Sequence, residues 1–200
     1  VVRRIIQQGK HSSQFKDAAE GLDLWAKYVH SFGLGNKNQT DLGGMARGLI
    51  PDKQYYDKIY GEYRWAYSTI YSICIGQGEV TVSPFEMANL AAIMANRGYY
   101  YHPHFIKDIG GEGVPLKYTE KNHTMVDTSY FPVIVEGMEK VVNESGGTAR
   151  RARIDSLVVC GKTGTAQNPH GEDHSIFIAF APKDTANTMS GPLVITVAPI

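Results

Sequence analysis

Three short apolar runs in the last third of the chain constrain its fold more than any other feature. They span 157–160, 176–180 and 193–197, are rich in Val and Ile, and are separated by polar segments that contain Gly and Pro. Such runs, bounded by turn-forming residues, predict β-strands. The segments between them are short for a helical crossover, so we expect neighbouring strands to pair antiparallel.

Helical periodicity dominates the earlier part of the chain. Apolar residues recur at helical spacing over 21–32 and 84–97, and again in a third segment that ends before Gly146. The second helix has the clearest start, because Ser83 and Glu86 have the spacing of a capping box. Helices followed by strands predict an α+β domain, in which an antiparallel sheet is flanked by helices.

The remaining segments show neither period clearly. Residues 1–6 are expected to be the tail of a helix, 33–44 a long loop, and 50–78, with its six tyrosines, irregular structure. The aromatic and β-branched segment 99–109 is interrupted by Pro103, which favours an edge hairpin over a central strand.

Composition and charge narrow the classes of function. Twenty Lys and Arg balance twenty Asp and Glu, so the chain has no net field to attract nucleic acid. No apolar run approaches the ~18 residues that span a bilayer. Val1 stands where an initiator Met would, which leads us to expect a segment of a longer chain. Cys74 and Cys160 form no disulfide framework, and free thiols are compatible with any compartment.

The segment Gly161-Lys162-Thr163-Gly164-Thr165 directly follows the first predicted strand. A phosphate-binding loop would need glycine at position 156, which is Ser, so nucleotide binding is disfavoured. We instead expect the segment to lie on the strand, at the rim of a cleft, with Lys162 and Thr163 presented to an anionic ligand. Gly164 would let that ligand lie against the backbone, and the Thr165 amide would point at a developing oxyanion. The alternative is a strand end that merely reaches a turn.

The order of several segments resembles one protein family, the transpeptidase domains of penicillin-binding proteins. The Lys-Thr-Gly segment and the apolar run after it are similar to the third and fourth strands of that family's sheet. A Gly-Gln-Gly segment, a Gly-Thr-Ala segment and a glycine-containing segment upstream also match in the family's order. These blocks are 159–166 with 174–182, 72–78 with 82–88, 145–149, and 32–35 with 40–42. The Gly-Gln-Gly form is most similar to class B, and within it to the penicillin-binding protein 2 subfamily.

The resemblance implies a serine β-lactamase-like D,D-transpeptidase fold, with residues 1–200 as the C-terminal part of the domain. In function it implies a peptidoglycan D,D-transpeptidase that forms a serine acyl-enzyme with D-Ala-D-Ala stem peptides. Lys162, Thr163, Gly164 and Thr165 would bind the substrate. The resemblance implies no cofactor and no metal.

The resemblance also implies partners and a location. Peptidoglycan stem peptides and β-lactams are the expected ligands of the complete enzyme, and proteins of the cell-elongation complex are the expected partners. The parent protein would act at the outer, periplasmic face of the cytoplasmic membrane, held there by an anchor outside this chain.

The family's nucleophile is not expected in this chain. Ser13 and Lys16 do have the Ser-x-x-Lys spacing, which would place a lysine one helical turn from a nucleophile. We interpret them as a chance match, because in the family the nucleophile lies much further upstream of the helix similar to 21–32, and because their neighbours are polar. No Ser-x-Asn or Tyr-x-Asn motif occurs in the sequence. The alternative function is therefore a non-catalytic fragment that only binds a partner or a peptide.

Three polar clusters have simpler explanations than a metal or anion site. His170 and His174 flank two carboxylates, but the Asn-Pro-His-Gly sequence indicates a loop, where this spacing does not align the two rings. His102 and His104 have no Cys or carboxylate near them in the sequence, and two ligands rarely define a site. The arginines of 150–153 are interpreted as a solvated surface.

Overall fold

The order of elements confirms an α+β chain, with helices first and a sheet at the end. The computed structural model describes residues 2–36, 40–168, 170–182 and 192–197. The helices are α1 (Val2–Ile6), α2 (Gln14–Ser31), α3 (Lys53–Tyr60), α4 (Tyr67–Ile70), α5 (Pro84–Ala95) and α6 (Phe131–Asn143). The strands are β1 (Tyr99–Tyr100), β2 (Asn122–His123), β3 (Cys160–Ala166), β4 (His174–Pro182) and β5 (Pro192–Val197).

These elements divide into two compact units. The helix unit comprises residues 1–37 and 46–82 and contains α1 to α4, and the sheet unit comprises 38–45 and 83–200 and contains α5, α6 and the strands. Each unit has buried apolar clusters built from its own residues. Each is therefore a packing unit in its own right.

The three-stranded sheet has the order β3-β4-β5, with both pairs antiparallel. This confirms the three consecutive strands and their direction. The predicted span 157–160 is wrong for the first strand, which begins at Cys160 and continues to Ala166. Leu157 instead forms an isolated bridge with Ile154, so the chain is still turning at that point. The Lys-Thr-Gly segment therefore lies on the strand itself.

Both faces of this sheet are covered by buried side chains. Alternate residues of a strand point to opposite faces, and two buried clusters follow that alternation along β4. Phe180 packs with Cys160 in one cluster, and Ala179 packs with Val159 in the other. The helices contribute Ala95, Val135 and Met138 to the first cluster and Val142 to the second. Because each large apolar side chain contributes on the order of 1.5–3 kcal/mol when buried, this packing anchors the sheet on α5 and α6.

Helix α5 begins as the sequence indicates. The Ser83 hydroxyl accepts a hydrogen bond from the Glu86 amide at 3.3 Å, and the Glu86 carboxylate accepts one from the Ser83 amide at 2.7 Å. Glu86 is only 2% exposed, so the capping box is buried. The helix stops at Ala95, two residues before its predicted end, because Arg97 and Gly98 take positive φ values of 60° and 108°.

The third predicted helix is α6. It follows a 3₁₀ turn, Thr128–Tyr130, in which the Asp127 carboxylate accepts a hydrogen bond from the Ser129 amide at 2.8 Å. Pro132 lies in the first turn of α6, where its missing N–H costs no helical hydrogen bond. The helix ends at Asn143, before the predicted glycine stop.

Helix α2 is longer than the predicted segment 21–32, because it begins at Gln14. Its start lies in a polar stretch in which the Asp17 carboxylate accepts hydrogen bonds from the amides of Gly9 at 2.7 Å and Lys10 at 2.8 Å. Asp17 is only 4% exposed, so these amides replace water around its charge. Polar residues that look like a loop in the sequence thus stabilise the beginning of this helix.

The prediction of irregular structure over 50–78 is wrong, because much of that segment is helical. Asp52 caps α3 by accepting a hydrogen bond from the Tyr55 amide at 2.8 Å. Tyr56 is fully buried and donates to the Glu79 carboxylate at 2.6 Å, and burial together with this hydrogen bond raises the pKa of Tyr56. Other tyrosines of the segment remain exposed, so residue type alone did not reveal which face of the helix is buried.

The predicted edge hairpin over 99–109 is wrong in its pairing. Tyr99–Tyr100 form a strand, but they pair with β2 rather than with a neighbouring part of their own segment. The following chain is held instead by Asp41, whose carboxylate accepts hydrogen bonds from the amides of Phe105 at 2.8 Å and Ile106 at 2.7 Å. A distant carboxylate therefore satisfies backbone donors that a hairpin partner would otherwise bind.

Smaller predictions agree with the structure. The helix expected at 1–6 is present as α1 from Val2 to Ile6, and the loop over 33–44 is confirmed where it is described, with positions 1 and 37–39 lying outside the described residues. The sequence left the state of the two cysteines open, and both are free thiols in the structure. Of the helices described, none combines the length and the apolar character that a bilayer crossing needs.

Replacement of Asp17 by Asn is expected to lower stability at neutral pH. The hydrogen bond from the Gly9 amide holds the pKa of Asp17 below its usual value, and the Lys10 amide adds to this effect, whereas partial desolvation opposes it. Its stabilising contribution is therefore present above the pKa of the unfolded chain and is lost as pH falls through the folded-state pKa. The measurement is the melting temperature of wild type and Asp17→Asn at pH 7 and at about pH 2.5.

We expect the difference between these two proteins to shrink as the pH is lowered. Glu172→Gln, which changes an exposed carboxylate in the sheet unit, serves as the control and is expected to show little difference at either pH. A difference for Asp17→Asn that is the same at both pH values would contradict this account.

Candidate functional site

The Lys162–Thr165 segment lies where β3 leaves the core. Cys160 and Gly161 are buried, whereas Lys162, Gly164 and Thr165 are exposed. Alternation along the strand places Thr163 and Thr165 on the face of Gly161, and Lys162 and Gly164 on the opposite face. Among the described residues β3 pairs only with β4, so this segment is at the edge of the sheet.

The two glycines of the segment differ in the space that surrounds them. A Cβ at Gly161 would lie 2.6 Å from the Phe177 ring and 3.0 Å from the Ile178 carbonyl oxygen, so packing requires glycine at this position. A Cβ at Gly164 would meet only the Ile176 Cβ, at an ordinary 3.9 Å. Packing within the described residues thus leaves Gly164 unexplained, whereas a ligand lying against the backbone would explain it.

The functional groups of the segment suit an anion. The Lys162 side chain is exposed, and its ammonium donates to the Thr163 carbonyl oxygen at 2.5 Å. An ammonium is a donor only, and a hydroxyl can donate to a carboxylate while it accepts from another group. Lys162, Thr163 and Thr165 therefore present one positive charge and two hydroxyl groups along a short length of strand.

One residue beside the segment was not predicted as a site residue. The Thr148 hydroxyl lies 2.9 Å from the Thr163 hydroxyl, within hydrogen-bond distance. Thr148 belongs to the Gly-Thr-Ala segment, whose sequence alone indicates only a resemblance to the family. The structure shows that this segment reaches the Lys-Thr-Gly strand through a side-chain contact.

Cys160 precedes the segment but is not suited to act as its nucleophile. Burial raises the pKa of the Cys160 thiol to about 11, with the Glu139 carboxylate adding to the effect and Arg97 opposing it. Because the thiolate is the reactive form, a thiol with this pKa is unreactive at neutral pH. Its contacts with Met138 and Phe180 identify it as part of the core.

Ser13 and Lys16 lie in the helix unit, and the structure corrects part of the interpretation of their surroundings. The polar residues 11–16 are mostly exposed, as expected, but they include the start of a helix, since Ser13 is the N-cap of α2. Lys16 is exposed, and its ammonium lies 5.6 Å from the centre of the Tyr63 ring. The lysine is thus directed toward an aromatic ring at the surface.

The side chains of the three polar clusters have other surroundings than a metal or anion site. His170 lies in an exposed turn, whereas His174 is the first residue of β4. The His104 ring packs against Tyr118 at 4.7 Å. Arg153 forms an ion pair with the Asp155 carboxylate at 3.1 Å. Over the described ranges, no three His, Cys, Asp or Glu residues are grouped so that they could hold a metal ion.

A polar cavity of about 340 Å³ in the helix unit is a second candidate for a ligand site. It is lined by Asp23, Ala26, Lys27, His30, Asp52 and Gln54. The two carboxylates already serve the backbone, because Asp23 accepts from the Lys53 amide at 2.9 Å and Asp52 caps α3. The His30 Nδ1 contacts the Leu34 carbonyl oxygen at 2.8 Å. These groups hold the helix unit together, so the cavity is a weaker candidate than the β3 segment.

Comparison with known proteins identifies similar sequences. Residues 12–196 match the family model described as the penicillin binding protein transpeptidase domain. The peptidoglycan D,D-transpeptidase MrdA of Haemophilus influenzae is 31% identical over 198 residues, which covers 88% of this chain and 29% of that protein. The chain thus spans less than a third of the length of this curated relative.

Solved structures show the same similarity in three dimensions. Pseudomonas aeruginosa PBP2, in a crystal structure, is 28% identical with a TM-score of 0.74, over 97% of this chain and 43% of that one. A chain in the structure of a peptidoglycan synthase complex is 27% identical with a TM-score of 0.72, over 98% of this chain and 33% of that one. The predicted serine β-lactamase-like transpeptidase fold is confirmed.

Alanine substitutions are expected to separate the two glycines of the strand. Gly161→Ala should destabilise the protein by about 1–3 kcal/mol, because the new methyl group overlaps the Phe177 ring. Gly164→Ala should change stability by no more than about 0.5–1 kcal/mol, since its methyl group meets an ordinary contact distance. The free energy of unfolding from urea titration measures both. Equal losses would show that Gly164 is also required by packing.

Proposed function

The chain belongs to the penicillin-binding protein transpeptidase family, and we propose that it forms the C-terminal part of a transpeptidase domain that cross-links peptidoglycan. The proposal is supported by the match over 12–196 and by the shared fold. In this assignment the sheet unit supplies the substrate-binding edge of the domain.

The proposed substrate is a peptidoglycan stem peptide that ends in D-Ala-D-Ala and lies along β3. One observation carries this assignment, namely the exposed edge strand on which the Lys162 ammonium and the Thr163 hydroxyl adjoin a bare Gly164 backbone. The hydroxyls of Thr163 and Thr165, on one face of the strand, would bind the terminal carboxylate of the peptide, and the exposed Lys162 side chain would reach the same carboxylate around the edge of the strand. Gly164 lets the peptide backbone approach the strand, in the manner of an added β-strand.

The proposed reaction is acyl transfer through a serine ester. The serine hydroxyl attacks the carbonyl carbon of the penultimate D-Ala, the amide C–N bond breaks, and the serine proton passes to the nitrogen of the terminal D-Ala, which leaves as a free amino acid. An amine of a second stem peptide then attacks the ester carbon, forms an amide and releases the serine. The Thr165 amide is proposed to stabilise the oxyanion of each tetrahedral intermediate. Lys162 and Thr163 hold the leaving D-Ala through its carboxylate.

We propose that the nucleophile of this reaction is not Ser13. A lysine that activates a nucleophile needs to be desolvated beside it, whereas Lys16 is exposed and lies against Tyr63. The serine would then be supplied by residues other than these 200. This observation also favours the second candidate function for the polypeptide by itself, which is a non-catalytic fragment that binds a peptide or a partner protein.

Ligands, partners and location follow from the proposed assignment. β-Lactams would bind the same strand in the complete enzyme, because they also present a carboxylate beside a reactive carbonyl. Proteins of the cell-elongation complex are proposed partners, and the solved relative in a peptidoglycan synthase complex supports an assembly of this kind. The parent protein is proposed to act at the outer face of the cytoplasmic membrane.

Peptide binding tests the proposed substrate. A synthetic N-acyl-D-Ala-D-Ala peptide is expected to bind more tightly than the same peptide with a C-terminal amide, because only the acid presents a carboxylate. Lys162→Gln should weaken binding of the acid by about 2–5-fold, as expected for an exposed charge pair, and should leave the amide unaffected. Isothermal titration calorimetry at low salt measures both affinities.

The matched control is Lys107→Gln, which removes an exposed positive charge elsewhere in the sheet unit. It is expected to bind both peptides like wild type. Equal binding of acid and amide by the wild-type protein would rule out carboxylate recognition by β3, and an equal effect of the two lysine substitutions would show that only net charge matters.

Intact-mass analysis after incubation with benzylpenicillin tests the proposal about the nucleophile. We expect no covalent adduct on the folded wild-type chain or on Ser13→Ala, because Lys16 is not placed to activate Ser13. Circular dichroism establishes that both proteins are folded. An adduct on wild type that is absent from Ser13→Ala would show that the chain carries its own nucleophile.

A further inference from the structure

The contact between Thr148 and Thr163 joins two parts of the sheet unit that are distant in sequence. Their hydroxyl oxygens are 2.9 Å apart, and either oxygen can be the donor. A hydroxyl has one proton to donate and two lone pairs that accept. A carboxylate only accepts hydrogen bonds, so a Thr163 hydroxyl that binds a carboxylate must donate its one proton to that carboxylate. In that state Thr148 must be the donor of the pair.

The loop that carries Thr148 is held in place by the end of α6. The Ala149 amide donates to the Val141 carbonyl oxygen at 3.0 Å. A Cβ at Gly147 would lie only 2.2 Å from that same oxygen, so the loop approaches the helix as closely as glycine allows. The position of Thr148 is therefore determined by the helix that precedes it.

The same helix end is also joined to β3. The Asn143 side-chain amide donates to the Val159 carbonyl oxygen at 2.9 Å, directly before the strand begins. Val142, Ala149 and Val159 pack in one buried cluster beneath this hydrogen bond. Helix, loop and strand are thus connected both at Val159 and at Thr163, which sets the distance between the two threonine hydroxyls.

We propose that Thr148 is a positioning residue, which donates a hydrogen bond to Thr163 and so orients the Thr163 hydroxyl toward the carboxylate of the peptide. This role rests on the proposed function of β3. A threonine hydroxyl rotates between staggered positions, and a donor on one side favours the position in which its own proton faces the ligand. The hydroxyl–hydroxyl–carboxylate chain also strengthens each of its hydrogen bonds.

The positioning role can be distinguished from a purely structural role for Thr148 by measuring stability and ligand selectivity separately. Thr148 is exposed and the rest of its loop is held through backbone groups, so removal of its hydroxyl should change the melting temperature little. What it should change is the preference for an acid over an amide at the C-terminus of the peptide. This selectivity ratio is the readout that a structural role does not alter.

The experiment compares wild type, Thr148→Val, Thr148→Ser and Thr163→Val in binding to the acid and amide forms of N-acyl-D-Ala-D-Ala. Thr148→Val keeps the shape of the side chain and should lower the acid-to-amide ratio about 3–10-fold, the size expected for one hydrogen bond between neutral groups. Thr148→Ser keeps the hydroxyl and should restore the ratio. In a Thr163→Val background, Thr148→Val should have no additional effect.

The outcomes separate this inference from the function on which it rests. A wild-type protein without preference for the acid would overturn the proposed function and this inference with it. A wild-type preference that Thr148→Val retains would overturn the role of Thr148 alone. Equal weakening of both peptides by Thr148→Val, or additive effects of the two valine substitutions, would likewise show that Thr148 does not act through Thr163.

Discussion

The close packing of the Phe177 ring against Gly161 is the contact on which the candidate site depends. A Cβ at position 161 would overlap the Phe177 ring, so glycine is needed there. With glycine, the ring covers the buried start of β3 while β3 and β4 pair with Thr163 opposite Phe177. One residue further, at Lys162, the strand is exposed. The boundary between the core and the exposed part of β3 thus falls between Gly161 and Lys162, and a packing contact places it there.

A second constraint comes from the end of α6. Its apolar residues contribute to the buried clusters on both faces of the sheet, and its last turn carries Asn143 and the loop of Thr148. The burial that stabilises the sheet therefore also positions the groups beside the exposed part of β3. Stability and the geometry of the candidate site share these contacts, so a change in the core of the sheet unit would also affect the site.

Local chemistry explains which predictions from the sequence succeed. The capping box of Ser83 and Glu86, the proline at the start of α6 and the three apolar runs are each defined by neighbouring residues, and each is present in the structure. Predictions failed where a polar group is satisfied by a distant or unexpected partner. Asp17 is buried on backbone amides, and Asp41 replaces a hairpin partner for Phe105, so neither element follows the periodicity of its own residues.

The sequence by itself determined the order of helices and strands, the position of Lys162, Thr163, Gly164 and Thr165 at a strand, and the family to which these segments belong. These features depend on periodicity, caps and short motifs, which are properties of adjacent residues. Only the tertiary structure decided that Gly161 serves packing whereas, among the described residues, Gly164 meets only an ordinary contact, and that Thr148 contacts Thr163. The reason is physical, since both depend on which surfaces meet when α6, its loop and the sheet pack together, and no local pattern of residues encodes that distance.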